Sequence, residues 1–200
     1  MASRERGPVV LDLQGFKDND NQFILKEVCV VEVNTSQLLL HHIACPPYDR
    51  DQLNQERLRE SFWATKHCHG LQWSEGDMPY HVLIDQLMYC LHNRDIVYVK
   101  GPEKKEFVQR NLRLTSSTVM NIVDLAEVGC ASIASLKTLM SATSFRCNRH
   151  LTPQSRCSLQ NAFNLCRWVY MSMPKRQTPP QPFIGRDEVD CSSCSCNLPL

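Results

Sequence analysis

Val9–Phe16, with the sequence VVLDLQGF, is the stretch on which the predicted fold rests. It has the composition of a β-strand and runs into Lys17–Asn21 (KDNDN), whose residues are typical of a turn. Two more β-like stretches follow, Phe23–Val33 and Gln37–Ala44, and a turn-forming Asn-Thr-Ser separates them. Three sequential strands with such short connections predict an antiparallel meander.

The pattern changes from strands to helices after Pro47. Periodicity and helix-forming composition predict helices over five segments: Asp51–Thr65, Pro79–Asn93, Pro102–Leu112, Ser132–Met140 and Ser155–Met171. Two apolar runs between them are predicted to be buried strands: Asp95–Lys100 and Val119–Leu125. This order predicts an α/β fold in which a mixed sheet, an antiparallel three-strand meander plus two parallel strands, is covered by helices.

The 200 residues are enough for one domain of ordinary size and a tail. We expect the domain to occupy residues 8–173, after an N-terminal extension of residues 1–7. Residues 174–200 are rich in Pro, Ser and Cys and have no periodicity, so we expect a flexible tail there.

A formal net charge of +1 at pH 7, with 42% hydrophobic and 22% charged residues, is typical of a soluble globular protein. Without a basic excess, any contact with nucleic acid must use a local patch. Met1–Gly7 is polar, and no stretch approaches the roughly 18 apolar residues of a membrane span. We therefore expect an intracellular protein, cytoplasmic or nuclear, whose eleven cysteines are thiols or metal ligands rather than disulfides.

The sharpest chemical pattern in the chain is Cys147-x2-His150-x6-Cys157. Zn²⁺ accepts thiolate and imidazole ligands tetrahedrally and needs a fourth, for which the residues offer four candidates: Glu27, Cys130, Cys166 and His69. The alternative is that the cysteines are buried thiols and the histidine is an ordinary core or surface residue. A zinc ion here would be structural and would fix the last helix to the sheet.

A basic strip forms a second candidate site: Lys100, Lys104, Lys105, Arg110 and Arg113. Five cations are proposed to contact RNA, four of them from the strip and one from the segment with the Cys/His pattern: Lys100, Lys104, Lys105, Arg110 and Arg149. Three aromatic residues lie close to the strip in sequence: Trp63, Trp73 and Tyr80. Such a combination can hold single-stranded nucleic acid by backbone charge and base stacking. A solvated helix face beside core aromatics is the alternative.

Several local sequences resemble the DEDDh exonucleases of the ribonuclease-H-like fold. Asp12-Leu13-Gln14 stands where that family has Asp-x-Glu, and Thr65–Leu71 (TKHCHGL) resembles its loop after the third strand. The resemblance places Lys104 at the position of the family's second Asp. It places His150 at the position of the family's His, and Ser155 at the position of its final Asp. Two-metal hydrolysis needs several carboxylates, so Asp12 is only a catalytic remnant and the standard mechanism is not expected.

Most of residues 8–172 resemble the Maelstrom domain, a ribonuclease-H-like domain without the exonuclease acids. Phe23–Val28 (FILKEV) is similar to its second strand, and Cys157-Ser158-Leu159 is similar to the start of its last helix. That family carries a Glu-Cys-His-Cys zinc set, and the resemblance assigns structural Zn²⁺ to the following residues: Glu27, Cys147, His150 and Cys157.

The expected function is therefore a binding module for single-stranded RNA, for protein partners, or for both. The Maelstrom resemblance implies small-RNA (piRNA-type) silencing of mobile elements. Two alternatives stay open: a ribonuclease with a non-standard active site, and a protein-interaction factor that binds no RNA.

Overall fold

The computed structural model describes residues 6–115, 121–139 and 145–173. Five strands and five α-helices follow one another along the chain: β1 (Val9–Lys17), β2 (Phe23–Glu32), β3 (Leu38–Ile43), α1 (Gln55–Ala64), α2 (Tyr80–Leu91), β4 (Val97–Val99), α3 (Pro102–Thr115), β5 (Ile122–Asp124), α4 (Ile133–Leu139) and α5 (Ser158–Ser172). The predicted tail, residues 174–200, lies outside the described residues, as do residues 1–5 of the predicted N-terminal extension.

The five strands form one mixed sheet in the order β3-β2-β1-β4-β5. β1 pairs antiparallel with β2, and β2 pairs antiparallel with β3. β4 runs parallel to β1 on one side and to β5 on the other. The predicted α/β architecture, a three-strand meander extended by two parallel strands, is confirmed.

Alternation along β1 separates the two faces of the sheet, because successive side chains of a strand point to opposite sides. Leu11 and Leu13 join a core cluster with α2 and α3, to which Leu83 and Phe107 contribute. On the opposite face, β1 and β2 pack against α5 in a second cluster of apolar side chains that includes Val10. The polar residues in alternate positions on these two strands therefore lie under α5.

The segment predicted as one helix over Asp51–Thr65 is divided. A single 3₁₀ turn covers Arg50–Gln52, and α1 begins only after Asn54, whose side-chain oxygen accepts a hydrogen bond from the backbone N–H of Arg57 at 3.0 Å. An Asn cap of this kind starts a helix at the residue that follows it. The predicted Ser155 start of the last helix is also wrong, because Cys157 is extended and α5 begins at Ser158.

Among the described residues, no helix combines the length and the apolar character needed to cross a membrane.

A β-bulge shifts the register of β1 against β2 between Gln14 and Gly15. The backbones approach so closely there that a Cβ on Gly15 would overlap the carbonyl oxygen of Ile24 and the ring of Phe23. The bulge therefore requires glycine, and it lies directly after the polar residues of β1 that face α5.

We predict that Gly15→Ala lowers the free energy of unfolding by about 1–3 kcal/mol, the usual cost of forcing atoms into a packed site. Urea denaturation followed by tryptophan fluorescence measures the change. Gly7→Ala is the matched control, because a Cβ there meets mainly the amide end of the Asn34 side chain, which can move. Equal stabilities for the two variants would contradict this account of the bulge.

Candidate metal centre and adjoining cleft

Four potential metal ligands meet between the sheet and α5. Glu27 comes from β2, Cys147 and His150 from the segment before α5, and Cys157 from the residue that precedes the helix. One ligand atom from each lies within 4.8 Å of all the others. Within the described chain, the remaining fourth-ligand candidates do not join this group: Cys130, Cys166 and His69. The structure thus brings together the set that the Maelstrom resemblance assigned to zinc.

The separations between these atoms match a tetrahedral zinc site. Zinc bond lengths imply tetrahedron edges of about 3.8 Å between two sulfurs, about 3.5 Å between sulfur and oxygen, and about 3.3 Å between nitrogen and oxygen. The Sγ atoms of Cys147 and Cys157 are 3.8 Å apart, and each is 3.7 Å from Oε1 of Glu27. Nε2 of His150 is 3.4 Å from the same oxygen. The two sulfurs are much too far apart for a disulfide, whose S–S length is about 2.05 Å.

The imidazole of His150 is oriented as in a metal ligand. Its Nδ1 lies at hydrogen-bond distance from the backbone oxygen of His69, which requires Nδ1 to be the donor. Nε2 then faces the other three ligands, and this buried atom has no hydrogen-bond partner among the described residues. Metal-ligating histidines almost always donate their second N–H in this way.

The Glu27 carboxylate contacts both the cluster and the helix. Its Oε2 accepts a hydrogen bond from the backbone N–H of Ser158 at 2.8 Å, and Nε2 of His41 lies 3.0 Å from Oε1. Burial raises the pKa of the Glu27 carboxyl, but the contacts with His150 and His41 outweigh burial and hold it well below its usual range. Glu27 is therefore ionised, as a metal ligand must be.

Contacts within the cluster shift the pKa values of its thiol and imidazole groups. Hydrogen bonding with Cys147 lowers the pKa of Cys157 and raises that of Cys147. Burial disfavours the charged imidazolium, yet the contacts with Cys157 and Glu27 raise the pKa of His150 to about 10. The donor set therefore fits zinc, whose binding would release the protons that Cys147 and His150 hold.

The turn at residues 68–70 holds the ligand-bearing segment in place through its backbone. Three successive carbonyls accept hydrogen bonds: that of Cys68 from the N–H of Arg156 at 2.7 Å, that of His69 from His150, and that of Gly70 from the N–H of Leu151 at 3.1 Å. Gly70 has φ +67°, and a Cβ there would lie 2.5 Å from Oγ of Ser155.

The sequence TKHCHGL, which resembles the exonuclease loop, thus contributes backbone carbonyls to this region and no side-chain ligand to the cluster. The prediction of a loop in this segment is wrong, because Thr65–His69 forms one π-helical turn directly after α1.

We predict that the purified protein carries about one zinc ion per chain and that Cys147→Ser removes it, since a hydroxyl is a poor substitute for a thiolate. Mass spectrometry of metals gives the content, and thermal unfolding with a chelator gives the accompanying loss of stability. Cys166→Ser is the matched control: Cys166 is also a buried cysteine but lies within α5 and is not part of the cluster. Zinc loss in both variants, or no zinc in the wild type, would count against the site.

Asp12 lies next to the cluster on the same face of the sheet and is fully buried. Its Oδ1 forms an ion pair with Lys104, while Oδ2 accepts hydrogen bonds from the amides of Gln14 at 3.2 Å and Asn161 at 3.0 Å. Lys104, which the exonuclease resemblance places at the second acid, therefore contacts Asp12 directly. The residue of α5 that meets Asp12 is Asn161, however; the Ser155 hydroxyl lies 3.0 Å from that of Thr152 instead.

Above Asp12 opens a cleft with a volume of about 1020 Å³. Gln14, Lys104 and Asn161 line it, together with Lys100 and Arg156. Two of the lining residues, His69 and Asn161, have buried polar atoms without a hydrogen-bond partner among the described residues: Nε2 of His69 and Oδ1 of Asn161. The side chains that line the cleft are therefore polar and cationic on the side next to Asp12. Sequence reasoning missed Asn161, for which no local pattern exists.

The other proposed RNA-contacting cations lie outside this cleft. Lys105 pairs with Glu127 at 3.1 Å, and Arg149 lies 3.9 Å from Asp77. Arg110 hydrogen-bonds the carbonyl of Phe23 at 3.3 Å in a neighbouring groove. Of the aromatic residues, Trp63 is 60% exposed and lines the cleft, whereas Trp73 and Tyr80 pack against the core.

Comparisons with known proteins give a fold but no family. No family model and no curated protein sequence matches the chain. A solved Mopeia virus exonuclease domain, fully depleted of manganese, aligns with TM-score 0.53 and 14% identity over 89% of this chain and 83% of its own. Another, partially complexed with manganese, aligns with TM-score 0.50 and 12% identity over 89% and 84%. The chain thus has the ribonuclease-H-like fold of exonuclease domains, as predicted.

Proposed function

We propose that this chain is a zinc-stabilised, catalytically degenerate exonuclease-fold module that binds single-stranded RNA in the cleft. The observation that carries the proposal is the ion pair between Lys104 and the buried Asp12 beneath the cleft floor. It neutralises the carboxylate that a nuclease of this fold would use for metal binding. The site therefore favours an anionic ligand over a cation.

The charges that line the cleft support an anionic ligand as well. Its two glutamates are compensated, Glu103 by Lys17 and Glu60 by Arg57. Among the described residues, neither Lys100 nor Arg156 has a carboxylate partner; Lys100 donates to the carbonyl of Cys130 at 2.8 Å. Two cations without a carboxylate partner in a concave site suit the phosphates of a nucleic-acid backbone.

An exposed aromatic ring at the cleft supports a single-stranded ligand. The indole of Trp63 lies 5.4 Å, centroid to centroid, from the imidazole of His67 and is open to solvent. Bases of a single strand can stack on such a ring, whereas those of a duplex are already stacked on one another.

Zinc has a structural role in this proposal. Glu27, Cys147, His150 and Cys157 would supply all four positions of a tetrahedral site, and their buried donors leave no place for a reacting water. The ion would join β2 to the start of α5 and so fix the helix that carries Asn161 over the cleft.

The same four residues support assignment to the Maelstrom type, and with it a role in small-RNA (piRNA-type) silencing of mobile elements together with protein partners in the cytoplasm or nucleus.

Fluorescence anisotropy with a short labelled single-stranded RNA tests the proposal. We expect Lys100→Ala and Arg156→Ala each to weaken binding and to reduce the slope of log K against log salt by about 0.7, the value for one phosphate contact in a single strand. Lys105→Ala is the matched control for Lys100→Ala, because Lys105 is also a lysine and lies five residues along the chain, but it pairs with Glu127 outside the cleft. An equal loss in the control would argue against the cleft as the binding site.

Trp63→Ala is expected to weaken RNA binding by about 1–3 kcal/mol, the usual effect of removing a base-stacking ring, without changing the salt slope. The same anisotropy titrations at several salt concentrations measure both quantities. Phe62→Ala is the control, since Phe62 is equally exposed on α1 but does not line this cleft. A changed slope in Trp63→Ala would indicate an altered charge distribution rather than lost stacking.

Two results would favour the alternative functions. Cleavage of the RNA that depends on Mg²⁺ and is lost in Asp12→Ala would indicate a ribonuclease. Specific protein capture without any retention of RNA would indicate a protein-interaction factor.

A further inference from the structure

We infer that the Lys104 ammonium group replaces a divalent cation beneath the cleft floor, so that the cleft takes a phosphodiester directly and without a metal ion. This inference rests on the proposed function and names how its site recognises the RNA backbone.

Both oxygens of Asp12 are already used by donors of the protein. Lys104 occupies Oδ1, and the amides of Gln14 and Asn161 donate to Oδ2. Because a carboxylate only accepts hydrogen bonds, both amides must turn their NH₂ groups, and not their oxygens, toward it. These three donors leave about one of the four lone-pair sites of the carboxylate open. Mg²⁺ and Mn²⁺ require several oxygen ligands, so the single remaining site on Asp12 is too little to hold either ion.

The charges at Asp12 also disfavour a divalent cation. Asp12 is fully buried, so its negative charge needs a nearby positive one, and the Lys104 ammonium supplies it. A divalent ion on the same carboxylate would lie against this ammonium, and the two glutamates that line the cleft in the described part of the chain already pair with Lys17 and Arg57. The residues present therefore do not fit the catalytic metals of an exonuclease.

The same groups are suited to a phosphate. The Lys104 side chain is 18% exposed and lines the cleft, so an ammonium hydrogen remains available to a ligand. Two further cations, Lys100 and Arg156, line the same cleft, and neither pairs with a carboxylate among the described residues.

The first test compares RNA binding of the zinc-loaded protein with and without added Mg²⁺ or Mn²⁺. The protein is freed of other metals by gel filtration, because a chelator would also attack the proposed zinc site. We expect the dissociation constant for single-stranded RNA to be the same under all three conditions. Binding that requires Mg²⁺ or Mn²⁺ would overturn the inference and leave the proposed function intact.

A charge-pair variant tests the role of Lys104 in the ligand contact. Lys104→Met combined with Asp12→Asn removes both charges together, so no buried charge is left unpaired and the fold is expected to persist. We expect RNA binding to weaken about tenfold, the loss of one charge-assisted hydrogen bond. Unchanged RNA affinity in a folded double variant would overturn the inference, and circular dichroism checks the fold.

Mn²⁺ binding provides a readout that does not involve RNA. Lys104→Asp replaces the ammonium with a second carboxylate beside Asp12, and we expect it to bind Mn²⁺ at least about tenfold more tightly than the wild type. Lys105→Asp is the control for a new acid on the same helix. Electron paramagnetic resonance of free Mn²⁺ measures the uptake. Equal uptake by the wild type and Lys104→Asp would overturn the inference.

The RNA-binding measurements distinguish a failure of the proposed function from a failure of the metal-free phosphodiester contact. RNA that binds neither with nor without divalent ions contradicts the proposed function, and the phosphodiester contact with it. RNA that binds only with divalent ions contradicts the metal-free contact alone.

Discussion

The Glu27 carboxylate makes the contacts on which the metal-ligand cluster and the position of α5 both depend. One oxygen lies among the donor atoms of Cys147, His150 and Cys157, and the other accepts the first backbone N–H of α5. A buried anion at the N-terminus of a helix is stabilised by the helix dipole. Through this one side chain the second strand fixes where α5 begins and how it lies across the sheet.

The position of α5 determines which side chain meets Asp12 beneath the neighbouring cleft. One turn after Ser158 the helix carries Asn161, whose amide donates a hydrogen bond to the Asp12 carboxylate beside its ion pair with Lys104. The metal-ligand cluster and the cleft are therefore two sites on one sheet face, joined by one helix. One contains soft and anionic donors suited to zinc, and the other an ammonium–carboxylate pair suited to phosphate.

Local sequence was sufficient for the elements and for most of the cluster. Apolar runs separated by turn residues predicted the meander, because strand pairing over short connections is a local property. Cys147, His150 and Cys157 lie within eleven residues, so their spacing alone indicated a shared ligand. Glu27 is more than a hundred residues away, and only the family resemblance assigned it to the same site. The division of Asp51–Thr65 was not predicted, because Asn54 as a helix cap competes with a continuous helical pattern.

The sequence by itself thus determined the mixed α/β sheet, the acid-poor first strand and the Cys/His pattern that indicates a metal site. Only the tertiary structure decided which side chains meet across the sheet: Asn161 rather than Ser155 over Asp12, and the carbonyls of residues 68–70 behind the ligand-bearing segment. It also separated Lys104, in the cleft, from Lys105, which is adjacent in sequence but pairs with Glu127. The physical reason is that each of these contacts joins residues distant in the chain, and their geometry follows from the packing of helices on the sheet rather than from any local pattern.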